Sequence, residues 1–438
     1  MDRKEFARRR KRLMDMVDNG GIAIQPTAPE RIRNRDVYYP YRPDSDFLYL
    51  AGFPEPEAVA VLVPDRPQGE FILFCREKDK EAETWHGRRH GLEGACEIYG
   101  ADDAFPISDL DDILPGLLEN KERIYYTMGR YQDFDHRLVS WLNHVSSKGR
   151  AGVHAPDQFH SLAHYVHEMR LYKSREEIRT MRRAAQIAAT AHRRAMETCR
   201  PGLFEYQVEA ELVHAFIRQG ARSPAYPCIV GGGANSCILH YTENCAALRN
   251  GDLLLIDAGA EYDGYASDVS RTFPVNGRFT PEQRAIYEIV LEAQLAAIDA
   301  VRPGNSWHQP HDAAVEVITR GLVDVGILKG RWRTMLKDEA YRPYYMHRTS
   351  HWLGMDVHDV GEYKVGDDWR TFEPGMVTTV EPGLYLSAAI KGLARRWWNI
   401  GIRIEDDVLV TADGHEVLSA GAPKTIDEIE ASMAGGIA

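Results

Sequence analysis

A phrase that occurs twice, about a hundred residues apart, limits the folds open to this chain more than any other feature. Ser174-Arg175-Glu176-Glu177 has the form of a capping box. Ser174 can accept from the amide three residues on, while Glu177 reaches back to the amide of Ser174. A long helix is predicted to follow, with Ile178, Met181, Ala185, Ala188 and Ala195 on one face. It should stop at Arg200-Pro201-Gly202, because proline cannot continue a helix and glycine accepts the left-handed backbone that ends one. Thr280-Pro281-Glu282-Gln283 opens another helix with proline at its first position, and that helix should stop at Arg302-Pro303-Gly304. A second amphipathic helix is readable after each Pro-Gly, over 207–219 and 312–323, and each half then turns strand-rich. Two copies of helix, Arg-Pro-Gly, helix and strands predict a domain of two related halves with a sheet between them.

The sequence before this repeat has a different texture. Short β-rich runs over 21–24, 58–63, 71–75 and 124–127 alternate with helical patterns, which predicts an α/β domain. The expected division is an α/β domain over 1–172 and an α+β domain over 173–438, each long enough to bury a core. A formal charge of −12 argues against general affinity for nucleic acid or anionic membrane. The one basic run, Arg8-Arg9-Arg10-Lys11-Arg12, sits among Phe6, Leu13 and Val17 at helical spacing, so it is expected to be the solvated face of an N-terminal helix. The first residues carry charges of both signs with no apolar segment, and the longest apolar runs are too short to cross a bilayer, so a cytoplasmic protein is expected. Six cysteines without a C-x-x-C pair point to reduced thiols rather than a thiolate zinc site.

Carboxylates stand where cores are expected. Leu253 to Ile256 reads as a buried strand with Asp257 at its far end, Asp263-Gly264 as a turn, and 265–273 as the returning strand. With a hairpin centre near Tyr262 and Asp263, Asp257 and Asp268 become cross-strand neighbours on one face, where two anions repel. The second half repeats the motif: Glu381 ends the apolar run from Met376, and Glu405 ends the run from Ile400, with Arg403 on its face. A buried carboxylate is costly unless paired or bound to metal, and Arg403 alone cannot neutralise four. His347, His351 and His358 follow one another closely, and His240 lies in Ile238-Leu239-His240-Tyr241-Thr242-Glu243-Asn244. Carboxylate oxygens with one imidazole suit Mn2+, Co2+ or Fe2+.

At these residues the sequence resembles the pita-bread metallopeptidases, and within them the bacterial-type Xaa-Pro aminopeptidases. The phrases that carry the likeness are long: the run from Ile229 through three glycines, Cys237 to Asn244, Leu255-Ile256-Asp257-Ala258-Gly259, His351-Trp352-Leu353-Gly354, Val357 to Gly361, Val380 to Tyr385 and Gly401 to Asp407. It continues into the N-terminal part, at Tyr39 to Arg42, Ser45 to Phe47, Gly52-Phe53, Glu55 to Ala58 and Trp85 with Gly87 to Arg89. The resemblance implies a creatinase-like α/β N-terminal domain and a pita-bread catalytic domain with pseudo-twofold halves. It implies two divalent metal ions, with Mn2+ expected and Co2+, Fe2+ or Zn2+ as options. Asp257 would hold one ion, His351 and Glu381 the other, and Asp268 and Glu405 would bridge both. His240 and His358 would line the transition-state site, His347 would bind substrate, and Arg403 would support Asp257. Tyr385, Trp85 and Asp36 resemble substrate-site residues, with Trp85 supplied by a neighbouring subunit, which implies a tetramer. Glu381 is the expected proton acceptor. The implied activity is removal of the first residue from peptides whose second residue is proline, with no role for nucleic acid or membrane. Prolidase, which shares the fold and ligands but accepts only dipeptides, is the near alternative. A metal-free peptide-binding relative would lack several of the five ligands, all of which are present.

Overall fold

The computed structural model describes residues 1–17 and 20–435. It divides into two compact units, Met1–Arg170 and Leu171–Ala438.

The first unit is built on a six-stranded mixed sheet. In spatial order its strands are Asp103–Pro106, Phe71–Cys75, Val59–Leu62, Gly21–Pro26, Arg123–Tyr125 and Gln158–His160. The four predicted strands are the central ones, where both faces are buried and the apolar run is continuous. Both strands that sequence reading did not find are edges, half-buried or exposed, where no apolar run is required. Helices Leu110–Leu118 and Gln132–Ser147 pack Leu114, Leu138 and Trp141 against Ile22, Ile24, Val61 and Phe74.

The basic run corrects an expectation. It lies on the helix Arg3–Val17, but Arg9 and Arg10 are buried rather than solvated. Arg9 Nη1 donates to the Tyr49 carbonyl at 3.1 Å and Arg10 Nη1 to the Leu50 carbonyl at 3.0 Å. These carbonyls end the helix Ser45–Ala51, whose last turn lacks internal donors and carries partial negative charge. Each guanidinium also stacks on a ring, Arg9 on Tyr49 and Arg10 on Phe71.

In the second unit the duplicated phrase becomes duplicated geometry. Both capping boxes form: Ser174 Oγ accepts from the Glu177 amide, and Thr280 Oγ1 from the Gln283 amide. Helices Arg175–Thr198 and Pro281–Ala300 follow, and then Glu205–Arg218 and Gln309–Asp324. Gly202 and Gly304 both adopt positive φ, 94° and 87°. Each then donates to a distant carbonyl, Gly202 to Leu248 and Gly304 to Phe372. Three residues on, Glu205 donates to Ala246 and Trp307 to Arg370, so the two turns are stapled in the same way. Ile178, expected on the buried face of the first helix, is only half-buried, while Glu177 beside it is buried.

Each half also contains an antiparallel hairpin whose ladder is interrupted. In the first, Leu253–Asp257 pairs with Ser270–Pro274, and Ala260–Tyr262 with Tyr265–Ala266. In the second, Val377–Val380 pairs with Asp406–Val410, and Gly383–Leu386 with Ile400–Arg403. One hydrophobic core runs through both halves, including Phe216, Ile256, Phe273, Val290, Ile318, Trp352, Leu384 and Ile402. Among the described residues, no helix is long and apolar enough to cross a membrane.

Candidate metal centre

The interruptions in the two ladders carry the acids. Asp257 is the last residue of its ladder, opposite Ser270, and Asp268 lies in the gap that follows. The hairpin turns between Asp263 and Gly264, both at positive φ, with Tyr262 opposite Tyr265. Its centre is therefore one residue later than expected, and Asp268 is the diagonal rather than the direct neighbour of Asp257. A diagonal shift by two keeps both side chains on one face. In the second hairpin, Val380 faces Asp406 and Gly383 faces Arg403, so the same register sets Glu381 opposite Glu405. His351 reaches the group because its segment runs beside the Glu381 strand: Thr379 donates to the His351 carbonyl, and Glu381 to that of Thr349.

These residues meet in one cavity of about 290 Å³, lined by Asp257, Asp268, His351, Glu381 and Glu405 together with His240, His347, His358, Arg348 and Arg403. His351 Nε2 lies 3.3 Å from Asp268 Oδ2 and 3.5 Å from Glu381 Oε1. Single ligand atoms of Asp268, His351 and Glu405 fall within 4.8 Å of one another. His351 Nδ1 donates to the Trp352 carbonyl at 2.9 Å, which leaves Nε2 turned toward the carboxylates, as in many metal-bound imidazoles.

Electrostatics show that this donor set fits cations. Burial, joined by the Asp268, Glu381 and Asp257 carboxylates, pushes Glu405 well above the usual carboxylate range. Glu381 rises to about 7 through burial, with His351 opposing and Asp268 adding. Burial and Asp257 raise Asp268 as well. Burial alone would lower His351, but Asp268 and Glu381 outweigh it and lift the imidazole to about 9. Among the described residues no lysine or arginine forms an ion pair with Asp268, Glu381 or Glu405. Four carboxylates share one cavity, and the ion-paired guanidinium, Arg403, meets Asp257. Such a set is stable only with protons or metal ions among its oxygens.

Tyr226, which sequence reading missed, sharpens the point. Its hydroxyl lies 2.6 Å from Asp257 Oδ1 and 2.5 Å from Asp268 Oδ1. One phenolic proton cannot serve two ionised acceptors at once, so further positive charge belongs between them. No periodicity or spacing marks Tyr226.

Arg403 anchors a directed chain of hydrogen bonds. Its Nη2 donates to Asp257 at 2.7 Å and its Nη1 to the Tyr385 hydroxyl at 2.9 Å. Tyr385 then donates to His347 Nε2 at 2.8 Å, and His347 Nδ1 donates to the Arg348 carbonyl at 2.7 Å. Burial and then Arg403 lower His347 to about 3, so it stays neutral in this tautomer. The Ser270 hydroxyl accepts from Arg403 Nε and donates to Glu405, joining the two halves, and Asp407 accepts from the Asp268 amide at 3.0 Å. The consecutive acids Asp406 and Asp407 after Glu405, in an apolar run, were a legible signal for buried support.

His358 is exposed at the cavity wall, edge-on to His351 at 4.5 Å between ring centroids, and burial followed by His351 lowers its pKa. Its neighbour Asp359 forms a buried ion pair with Lys173 at 3.0 Å. His240 is exposed and lines the same cavity. Asp36 and Trp85 belong to the first unit. Asp36 is exposed in the turn between Ile32–Asn34 and Val37–Tyr38, and Trp85 is 78% exposed on the helix Lys80–His86, none of whose residues is buried.

Comparison with known proteins agrees with this centre. The model of metallopeptidase family M24 matches residues 179–412, and that of the aminopeptidase P N-terminal domain matches residues 6–125. The Xaa-Pro aminopeptidase of Escherichia coli strain K12 is 48% identical over 434 residues, covering 99% of this chain and 98% of the relative. Aminopeptidase PepP of Pseudomonas aeruginosa superposes with a TM-score of 0.99 at 58% identity, over 100% of this chain and 99% of the other. A variant of Escherichia coli aminopeptidase P in complex with substrate gives a TM-score of 0.97 at 47% identity, over 100% and 99%.

Proposed function

The chain belongs to metallopeptidase family M24 and carries an aminopeptidase P N-terminal domain, and on that premise we propose that it hydrolyses the bond before a proline in second position and releases the first residue of the peptide. The observation that carries this reading is the convergence of Asp257, Asp268, His351, Glu381 and Glu405, from both halves, on one cavity. Asp257 would hold one divalent ion and His351 with Glu381 the other, with Asp268 and Glu405 shared between them. When bound, the ions supply a water acidic enough to attack at neutral pH and polarise the scissile carbonyl.

The chain's own residues do the rest. Asp257, fixed by Arg403, receives the free α-amine of the first residue, which confines cleavage to the N-terminus. Glu381, in the wall of the same cavity, accepts the proton of the attacking water and returns it to the departing proline nitrogen. His358, held neutral, donates its N–H to the oxyanion that develops on the scissile carbonyl. His240 lines the same cavity and steadies the departing side. Tyr385 and His347, the imidazole locked in one tautomer by the Arg403 chain, present a fixed wall to the proline ring, which has no N–H of its own.

We assign Mn2+ as the working metal, since oxygen-rich sites with one imidazole suit it. We also assign the chain to the cytoplasm, which its free cysteines support. The N-terminal domain serves oligomerisation and substrate access. Trp85 and Asp36 are both exposed on that domain, and we assign both to substrate binding, Trp85 toward a neighbouring subunit in a tetramer.

The test is cleavage of an Xaa-Pro-Xaa tripeptide after chelation and again after adding Mn2+. Release of the first residue that is lost and then restored is expected. Undiminished cleavage by the chelated protein refutes the reading, and cleavage of Xaa-Pro dipeptides alone makes the enzyme a prolidase.

A further inference from the structure

A second cavity, of about 830 Å³, adjoins the metal cavity. The two share His347 and Arg348 in their walls, so they meet at these two side chains. The wall is stiff. Tyr345, 1% exposed, shares the Thr349 hydroxyl with His311 Nδ1, at 2.6 and 2.9 Å, and the Thr349 carbonyl accepts from the amide of Glu381 at 2.8 Å. Tyr341 and Trp369 line the second cavity with apolar surface.

Most of its charges are paired, the exposed Glu316 being an anion without a partner among the described residues. Asp312 pairs with His308 at 3.1 Å and Glu339 with Arg342 at 2.9 Å. Arg348 is the cation without a partner: it is exposed, it lines both cavities, and among the described residues its guanidinium forms no hydrogen bond or ion pair. A guanidinium presents a planar fork that matches a carboxylate. A sphere of the metal cavity's volume is about 8 Å across. Two extended residues beyond a scissile carbonyl span about 7 Å, so the carboxylate of a tripeptide would arrive at its rim.

We propose that the larger cavity receives the peptide downstream of its proline and that Arg348, at the junction, takes the C-terminal carboxylate of tripeptide substrates. This rests on the aminopeptidase reading. It adds a length-dependent preference: a tripeptide ends on Arg348, whereas a pentapeptide passes it and carries its carboxylate into the larger cavity.

The experiment compares Xaa-Pro-Xaa with its C-terminal amide, on the metal-loaded enzyme and on Arg348→Gln and Arg348→Lys. Cleavage of the amide by the unaltered enzyme tests the aminopeptidase reading separately, because the amide has no carboxylate for Arg348 to bind. For the unaltered enzyme the free acid is expected to be favoured about two- to five-fold in kcat/KM, through KM, as for an exposed charge-assisted contact made equally in ground and transition states. That ratio should fall to about one in Arg348→Gln, persist in part in Arg348→Lys, and shrink for pentapeptides in the unaltered enzyme. A ratio unchanged in Arg348→Gln, or independent of peptide length, overturns the proposal. Because Arg348 is exposed, its replacement leaves the core intact.

Discussion

The guanidinium of Arg271 is fully buried, and all five of its hydrogen bonds run to fixed partners. It donates to the carbonyls of Pro423, Ser270, Glu405 and Ala422, at 2.6 to 3.0 Å, and to Asp406 Oδ1 at 2.8 Å. Ser270 and Glu405 come from different halves, so this one side chain clamps the two strands that carry the acids. Arg271→Lys keeps the charge and the pair with Asp406 but offers three donors in place of five, so at least two hydrogen bonds are lost and, since the Ser270 carbonyl keeps the Glu405 amide, at least one buried carbonyl is left unpaired. At about 1 to 3 kcal/mol for each unsatisfied buried group, with the other lost hydrogen bond added, a loss of about 3 kcal/mol is a fair central value. For a unit of this size that corresponds to a fall in Tm of about 6 to 12 °C. Thermal unfolding should be followed by tryptophan fluorescence on chelated protein, so that metal binding does not contribute. Six of the eight tryptophans lie in the second unit, so the signal reports on the right part of the chain. A fall of less than about 2 °C would mean that the fork carries none of the stability ascribed to it.

His358→Ala should lower kcat by about a hundred-fold or more, as for loss of an oxyanion donor, while metal content stays near that of the unaltered enzyme. Glu381→Ala should lose both activity and metal; elemental analysis separates the two cases, and a metal-free His358→Ala protein would dissolve the distinction. His192 is fully buried, donates to the Ala258 carbonyl at 3.0 Å, and is lowered by burial to about 4. Its folded pKa lies below the unfolded value of about 6.5, so folding expels a proton, and the stability held above pH 6.5 is lost as pH falls toward 4. Between pH 7.5 and 5.0 this amounts to about 2 kcal/mol, and urea midpoints of His192→Gln should show a correspondingly shallower pH dependence. An identical slope in the variant would place the acid sensitivity elsewhere.

What the sequence revealed and what it hid follow one division. Capping boxes, Pro-Gly stops and acids at the ends of apolar runs are local patterns, and Ser174, Thr280, Gly202, Gly304, Glu381 and Glu405 stand where those patterns put them. The hairpin register was off by one because turn chemistry, not composition, decides which two residues sit at the tip, and Asp263-Gly264 took positive φ together. Arg9 and Arg10 were misjudged because their partners, the carbonyls of Tyr49 and Leu50, lie 40 residues away. Tyr226, Ser270 and Arg271 act across similar or greater separations, and no window of sequence displays such a meeting. Edge strands escaped for the opposite reason, since little buries them.

On the ligand set proposed above, the split of the ligands between two halves makes competence all-or-none. Asp257 and Asp268 on their own are a repelling pair, and so are Glu381 and Glu405. About 150 residues of chain separate the first ligand from the last. A newly made copy therefore stays harmless to surrounding peptides until its two repeats have closed on each other. The capacity to cut thus serves as the molecule's own certificate of having folded.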